Sequence, residues 1–149
     1  MSYLRRKKVQ NLSTAFTANT ASQEASTTVL DVSNSEITFT PPAGNFEYVV
    51  FEYTIQYHAS SNHTLLYYEL QEKIGSGTYA QLGSGYRATD QMMYNAMQNT
   101  ITGRFFIPIY SGARSYKMTI RSSATNRKGT LHSTDSGTVY SPIYQMYCV

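Results

Sequence analysis

From Val29 onward, hydrophobic and polar residues alternate with a period of two. The clearest run is 46–58, where Val49, Phe51, Tyr53, Ile55 and Tyr57 share one parity and Tyr48, Val50, Glu52, Thr54, Gln56 and His58 share the other. Successive Cβ atoms of a strand point to opposite faces, so the run predicts a long strand with one face in the core. Pro41-Pro42-Ala43-Gly44 marks a turn before it, and Glu36–Thr40 reads as a shorter strand ahead of that turn. Over 65–74 the same rule puts Leu66, Tyr68, Leu70 and Ile74 inward and Tyr67, Glu69, Gln71 and Lys73 outward. Ser60-Ser61-Asn62-His63 reads as the hairpin loop between these two strands, and Gly75-Ser76-Gly77 as the turn into a short strand at Thr78–Leu82. Together they predict a meander.

Residues 83–99 admit a short helix or an irregular strand, and strand is the reading taken because neither end carries a capping signal. Thr100–Tyr110 then places Ile101, Phe105, Ile107 and Ile109 on one parity. Pro108 inside that run points to an edge position or a strand end, since proline has no N–H for a ladder. Ser111-Gly112-Ala113 turns into Ser115–Ser122, where Tyr116, Met118 and Ile120 alternate with Lys117, Thr119 and Arg121. A polar loop around Asn126–Gly129, a short strand near Thr130–Ser133 and a last strand from Thr138 to Met146 or beyond complete the chain. About eight or nine evenly spaced strands without a capped helix predict an all-β fold, an antiparallel β-sandwich or a barrel. The opening stretch 1–28 holds Leu12 and Phe16 as its hydrophobic anchors beyond the first few residues and is otherwise polar. Burial there does not offset the entropy of ordering, so a flexible arm over 1–28 and one sandwich domain over 29–149 are expected.

At 149 residues the chain suits one domain that folds without a disulfide or metal staple, and its single cysteine, Cys148, has no partner. Charged residues make up 14%, against an average of about 25%, while tyrosine occupies 14 positions and tryptophan none. Such a surface is polar through hydroxyl and amide groups, which lose less than ions when buried against a partner. The net charge of +3 is concentrated in Arg5, Arg6, Lys7 and Lys8, and the remainder is close to neutral. Nothing between Val9 and Thr28 forms the apolar core of a signal peptide, and no run is long enough for a membrane helix, so a non-exported chain without a membrane partner is expected.

Candidate chemistry is sparse. His58, His63 and His132 have no cysteine or carboxylate at metal-ligand spacing, so neither a metal nor any other cofactor is expected. Cys148 reads as a small apolar residue of the last strand. The pairs Gly75/Gly77 and Gly83/Gly85 open no helix and read as turns, not phosphate cradles. Glu52 and Glu69 sit on the polar parity of two strands read as neighbours, which sets them facing each other as glycosidase acids do. No further group supports such a site, and an enzyme is not expected. Arg104, Arg114, Lys117, Arg121, Arg127 and Lys128 lie in a window free of acids, with Lys117, Thr119 and Arg121 forming a positive stripe. The stacking aromatics that nucleic acid requires fall on the core parity instead, so nucleic acid is a poor fit. Tyr48, Tyr67 and Tyr140 lie on outward parities, where rigid aromatics suit a subunit interface or a sugar ring.

The polar arm, the block Phe-Glu-Tyr-Val-Val-Phe-Glu-Tyr-Thr-Ile-Gln-Tyr at 46–57, and the segments Gly-Arg-Phe-Phe-Ile-Pro-Ile-Tyr (103–110) and Ser-Tyr-Lys-Met-Thr-Ile-Arg (115–121) resemble small tailed-phage virion proteins. The resemblance covers about 30–149. It implies a jelly-roll sandwich similar to tumour necrosis factor, assembled as a homotrimer, made in the host cytoplasm and placed on the capsid surface as a decoration (cement) protein. Its partners are then itself and a major capsid protein, gripped through Arg5, Arg6, Lys7, Lys8, Leu12 and Phe16. Tyr48, Tyr67, Tyr140, Lys117 and Arg121 are the expected interface residues. The alternative is a receptor- or carbohydrate-binding module of a phage fibre or tail, with a host-surface glycan as its ligand.

Overall fold

The computed structural model describes residues 10–16, 23–24, 26–32, 35–59, 64–92, 98–123, 129–131 and 143–149. They form β1 (Gln10–Phe16), β2 (Gln23–Glu24), β3 (Leu30–Asp31), β4 (Ile37–Phe39), β5 (Tyr48–Ala59), β6 (Thr64–Ile74), β7 (Ala80–Gln81), β8 (Arg87–Met92), β9 (Gln98–Pro108), β10 (Arg114–Ser122), β11 (Gly129–Leu131) and β12 (Ile143–Cys148). Among the described residues a 3₁₀ turn, Ser84–Tyr86, accompanies them. The fold is all-β: two antiparallel sheets packed as a sandwich.

The first sheet is built on β5, which pairs with β9 along one side and with β12 and β11 along the other. β1 extends it beyond β12, and β2 beyond β11. The second sheet is built on β10 and β6, with β3 and β4 outside β10 and β7 and β8 outside β6. The expected meander is therefore corrected at its first step: β5 and β6 belong to different sheets, and the chain crosses the sandwich between them. Each strand is apolar along one face, and stacking those two faces buries more apolar area than pairing the strands edge to edge. The second step holds, with β6 and β7 joined through Gly75 at φ 57°, a left-handed turn conformation that suits glycine.

The arm expected over 1–28 also differs in part. Gln10–Phe16 pairs antiparallel with β12, with a register shift between Asn11 and Ser13, and Phe16 stands opposite Ile143. Backbone hydrogen bonds to an open strand edge supply what the sparse side-chain anchors do not. Arg5, Arg6, Lys7 and Lys8 lie outside the described residues.

Between the sheets, Val49, Phe51, Tyr53, Ile55 and Tyr57 meet Leu66, Tyr68, Leu70, Tyr116, Met118 and Ile120, as parity predicts. Cys148 is buried among them. Ser35 is a buried polar member whose Oγ donates to the Val32 carbonyl at 2.8 Å and accepts from the Met118 N–H at 2.9 Å. At one end of the core, Glu72 accepts from Tyr116 Oη at 2.6 Å and from Arg114 Nη1 at 3.0 Å. Gly103 lies opposite Tyr53 in β5, and a Cβ there would clash with the Tyr53 ring and hydroxyl. The tyrosine ring occupies that space and stacks on Phe105 at 5.5 Å.

Candidate functional site: the two outer faces

The outward residues of β12, β5 and β9 line up in rungs across the first sheet: Gln145, Glu52 and Arg104 in one, and Tyr147, Val50 and Phe106 in the next. Glu52 is the hub of the first rung. Its carboxylate accepts from Arg104 Nε, from Gln145 Nε2 and from Tyr147 Oη, the last at 2.9 Å. Burial alone raises the pKa of a carboxylate, but these three donors outweigh it and hold Glu52 below its ordinary value. The second rung is apolar. Val50 is fully buried although it lies on the outward parity, and Tyr147 is 8% exposed. Phe106 is 52% exposed, Tyr48 is 41% exposed, and the two rings meet edge-to-face at 6.0 Å. A shallow hollow of about 350 Å³ lies over Val50, Glu52, Arg104, Phe106, Gln145, Tyr147 and Val149.

The second sheet's outer face has three rungs across β10, β6 and the β7/β8 edge: Lys117, Gln71 and Gln81; Thr119, Glu69 and Arg87; Arg121, Tyr67 and Thr89. Arg121 stacks its guanidinium on the Tyr67 ring at 4.2 Å. Lys117 bonds Asp31 at 2.7 Å and lies over the Tyr79 ring at 4.2 Å. Thr119 is buried between them. The Tyr79 hydroxyl facing Glu36 lowers that carboxylate's pKa against the opposing effect of burial, and Lys73, 3.5 Å away, adds to the lowering.

Two sequence readings are corrected here. Glu52 and Glu69 stand on opposite outer faces of the sandwich, so the paired-carboxylate arrangement does not form. The positive stripe is reduced to one member: Arg104 pairs with Glu52, Arg114 with Glu72, and Lys117 with Asp31, which leaves Arg121 without a carboxylate among the described residues. The acids missing from the local sequence come from other strands. The expected interface also divides, with Tyr48 on the first outer face and Tyr67, Lys117 and Arg121 on the second. Tyr140, His63 and His132 lie outside the described residues, and Leu12 and Phe16 are placed only by the backbone of β1.

No family model matches the chain, and no curated protein does. Among solved structures, 86% of this chain is similar to 33% of a chain in the "Structure of infectious bursal disease virus Gx strain", at 14% identity and a TM-score of 0.40. The chain thus spans about a third of that protein's length. A likeness of that degree assigns neither family nor function.

The Glu52 hub was not legible in the sequence. Its partners lie 52, 93 and 95 residues away. What the sequence does hold is a glutamate centred in a long run of strand residues, a place where an isolated carboxylate is costly and so signals partners.

Proposed function

We propose that this protein is a non-enzymatic structural component of a virion, a decoration protein of a phage shell that acts as a homotrimer and binds a major capsid protein. The observation that carries this reading is the first outer face, where exposed Phe106 and Tyr48 continue an apolar rung already closed over Val50 and Tyr147. Aromatic side chains next to a carboxylate engaged by three donors are the composition of an interface centre, not of a solvated strand face. On the first outer face the Arg104 charge is matched by Glu52, which leaves shape and apolar area to drive association there. The basic tetrad Arg5–Lys8 supplies the contact with the shell in this reading. Linking three arms in one trimer raises their effective concentration at the shell.

Sedimentation analysis tests the reading directly. The expected species has three times the 16.8 kDa chain mass, and a Tyr48→Ser/Phe106→Ser double variant shifts it toward the monomer. A wild-type chain that stays monomeric at every concentration overturns it.

A further inference from the structure

The second outer face contains a hollow of about 360 Å³ that has no part in the assembly reading. Its origin lies in the rungs. Thr119 and Thr89 are short, whereas Tyr67, Arg121, Arg87 and Gln81 are long and stand around them as walls, with Glu69 in the floor and Val29 at the rim. A cavity of this size accommodates a small ligand of one or two rings.

Two groups in it are incompletely engaged. Glu69 Oε2 accepts from Gln81 Nε2 at 3.2 Å and lies 3.5 Å from Arg87 Nε, but Glu69 Oε1 is buried without a hydrogen-bond partner. A buried acceptor left unpaired is costly and calls for a donor. Arg121 is held flat on Tyr67, and among the described residues no carboxylate pairs with it. A stacked guanidinium keeps its N–H edge free in the plane, the geometry that takes a carboxylate by two parallel bonds. Arg121 and Glu69 are diagonal neighbours on β10 and β6 of one face, about 7–8 Å apart at the backbone, a separation spanned by the substituents of one sugar ring.

We propose that this hollow binds a sugar bearing a carboxylate, its acid group on Arg121, a ring hydroxyl donated to Glu69 and its other hydroxyls facing Gln81, Thr89 and Thr119. The hollow lies on a sheet face and not along a strand edge, so it fits a compact ring better than an extended acidic peptide, which binds through edge pairing. Cation and acceptor together distinguish it from a simple anion site. This inference stands whether or not the assembly reading holds.

The test is an amide-NMR titration of the full chain with N-acetylneuraminic acid and with glucuronic acid. Glucose, N-acetylglucosamine and a poly-glutamate peptide serve as comparisons. The expected result is saturable shifts at Tyr67, Thr89 and Arg121 with an acidic sugar, weakened by salt and absent with the neutral sugars. Arg121→Ala weakens binding at least roughly tenfold, as loss of a charge-assisted pair should. Arg121→Lys retains charge without the fork and also weakens it, while Lys73→Ala leaves it unchanged. Both Arg121 variants melt as wild type does, since the residue is exposed. Absence of saturable shifts with both acids, equal binding of neutral sugars, a response to the peptide alone, or full affinity in Arg121→Ala each overturns the proposal.

Discussion

Glu52 shows how a single residue's behaviour depends on its tertiary neighbours. Its folded pKa lies below the ordinary value of 4.5, so the stability it contributes is fully present above that pH and is lost as pH falls through the folded value. Glu52→Gln is therefore expected to lose about 1–3 kcal/mol at neutral pH, the cost of disrupting hydrogen bonds to a charged, partly exposed group. The gap from wild type should narrow in urea titrations run progressively below pH 4.5. Gly103 offers a second residue-scale test. Gly103→Ala forces its Cβ into the Tyr53 ring, which is itself clamped against Phe105. An overpacking loss of about 1–3 kcal/mol is expected by chemical denaturation, and it should shrink in a Tyr53→Leu background. Parity read most inward residues correctly. It failed at Val50, which is outward but roofed by its neighbours, and at Ile74, which shares the core parity but is 60% exposed at the strand end. Alternation encodes direction, whereas coverage depends on neighbours that are remote in sequence.

Among the elements, β1 carries the most direct test. Because Gln10–Phe16 pairs with β12 while the basic tetrad precedes it, the two roles assigned to one arm separate by deletion. Removing residues 2–9 should leave the melting temperature unchanged and abolish shell binding. Removing 2–16 should also lower the melting temperature, by about 2–4 °C for each kcal/mol of lost pairing. An unchanged melting temperature in the longer deletion would show that the strand adds nothing to the fold. The strands themselves were largely legible: β4, β5, β6, β9 and β10 fall within a few residues of the runs read from alternation. Pro108 ends β9, as its missing N–H requires. Sheet membership was not legible, because alternation is identical for a strand paired with its sequence neighbour and for one paired across the molecule. The β5–β6 step was misread for that reason.

At the scale of the whole molecule, the two outer faces have different characters. One presents aromatic rings beside a saturated carboxylate, and the other a walled hollow with an unpaired acceptor and an arginine. Phe106→Ser is expected to change monomer stability by less than about 0.5 kcal/mol, because the side chain is half exposed, yet to weaken self-association measurably by light scattering. Sugar binding on the opposite face should be unaffected by that variant. Since Lys73, Arg87, Arg104, Arg114 and Lys117 are each matched by an acid from another segment, a chain lacking residues 2–9 should pass through a polyanion column at moderate salt.

The sequence by itself determined the all-β class, the core parity of the long strands, the burial of Cys148 and the separation of a basic tetrad from a near-neutral body. These follow from local rules: alternating Cβ directions, turn chemistry and the entropy of unanchored segments. Only the tertiary structure decided which strands share a sheet, which acid answers each base, and that Tyr48 and Tyr67 serve opposite faces. Those outcomes depend on residues far apart in sequence, 42 positions for Arg114 with Glu72 and 95 for Tyr147 with Glu52, and nothing in a local pattern records which of many compatible partners the folded chain brings alongside.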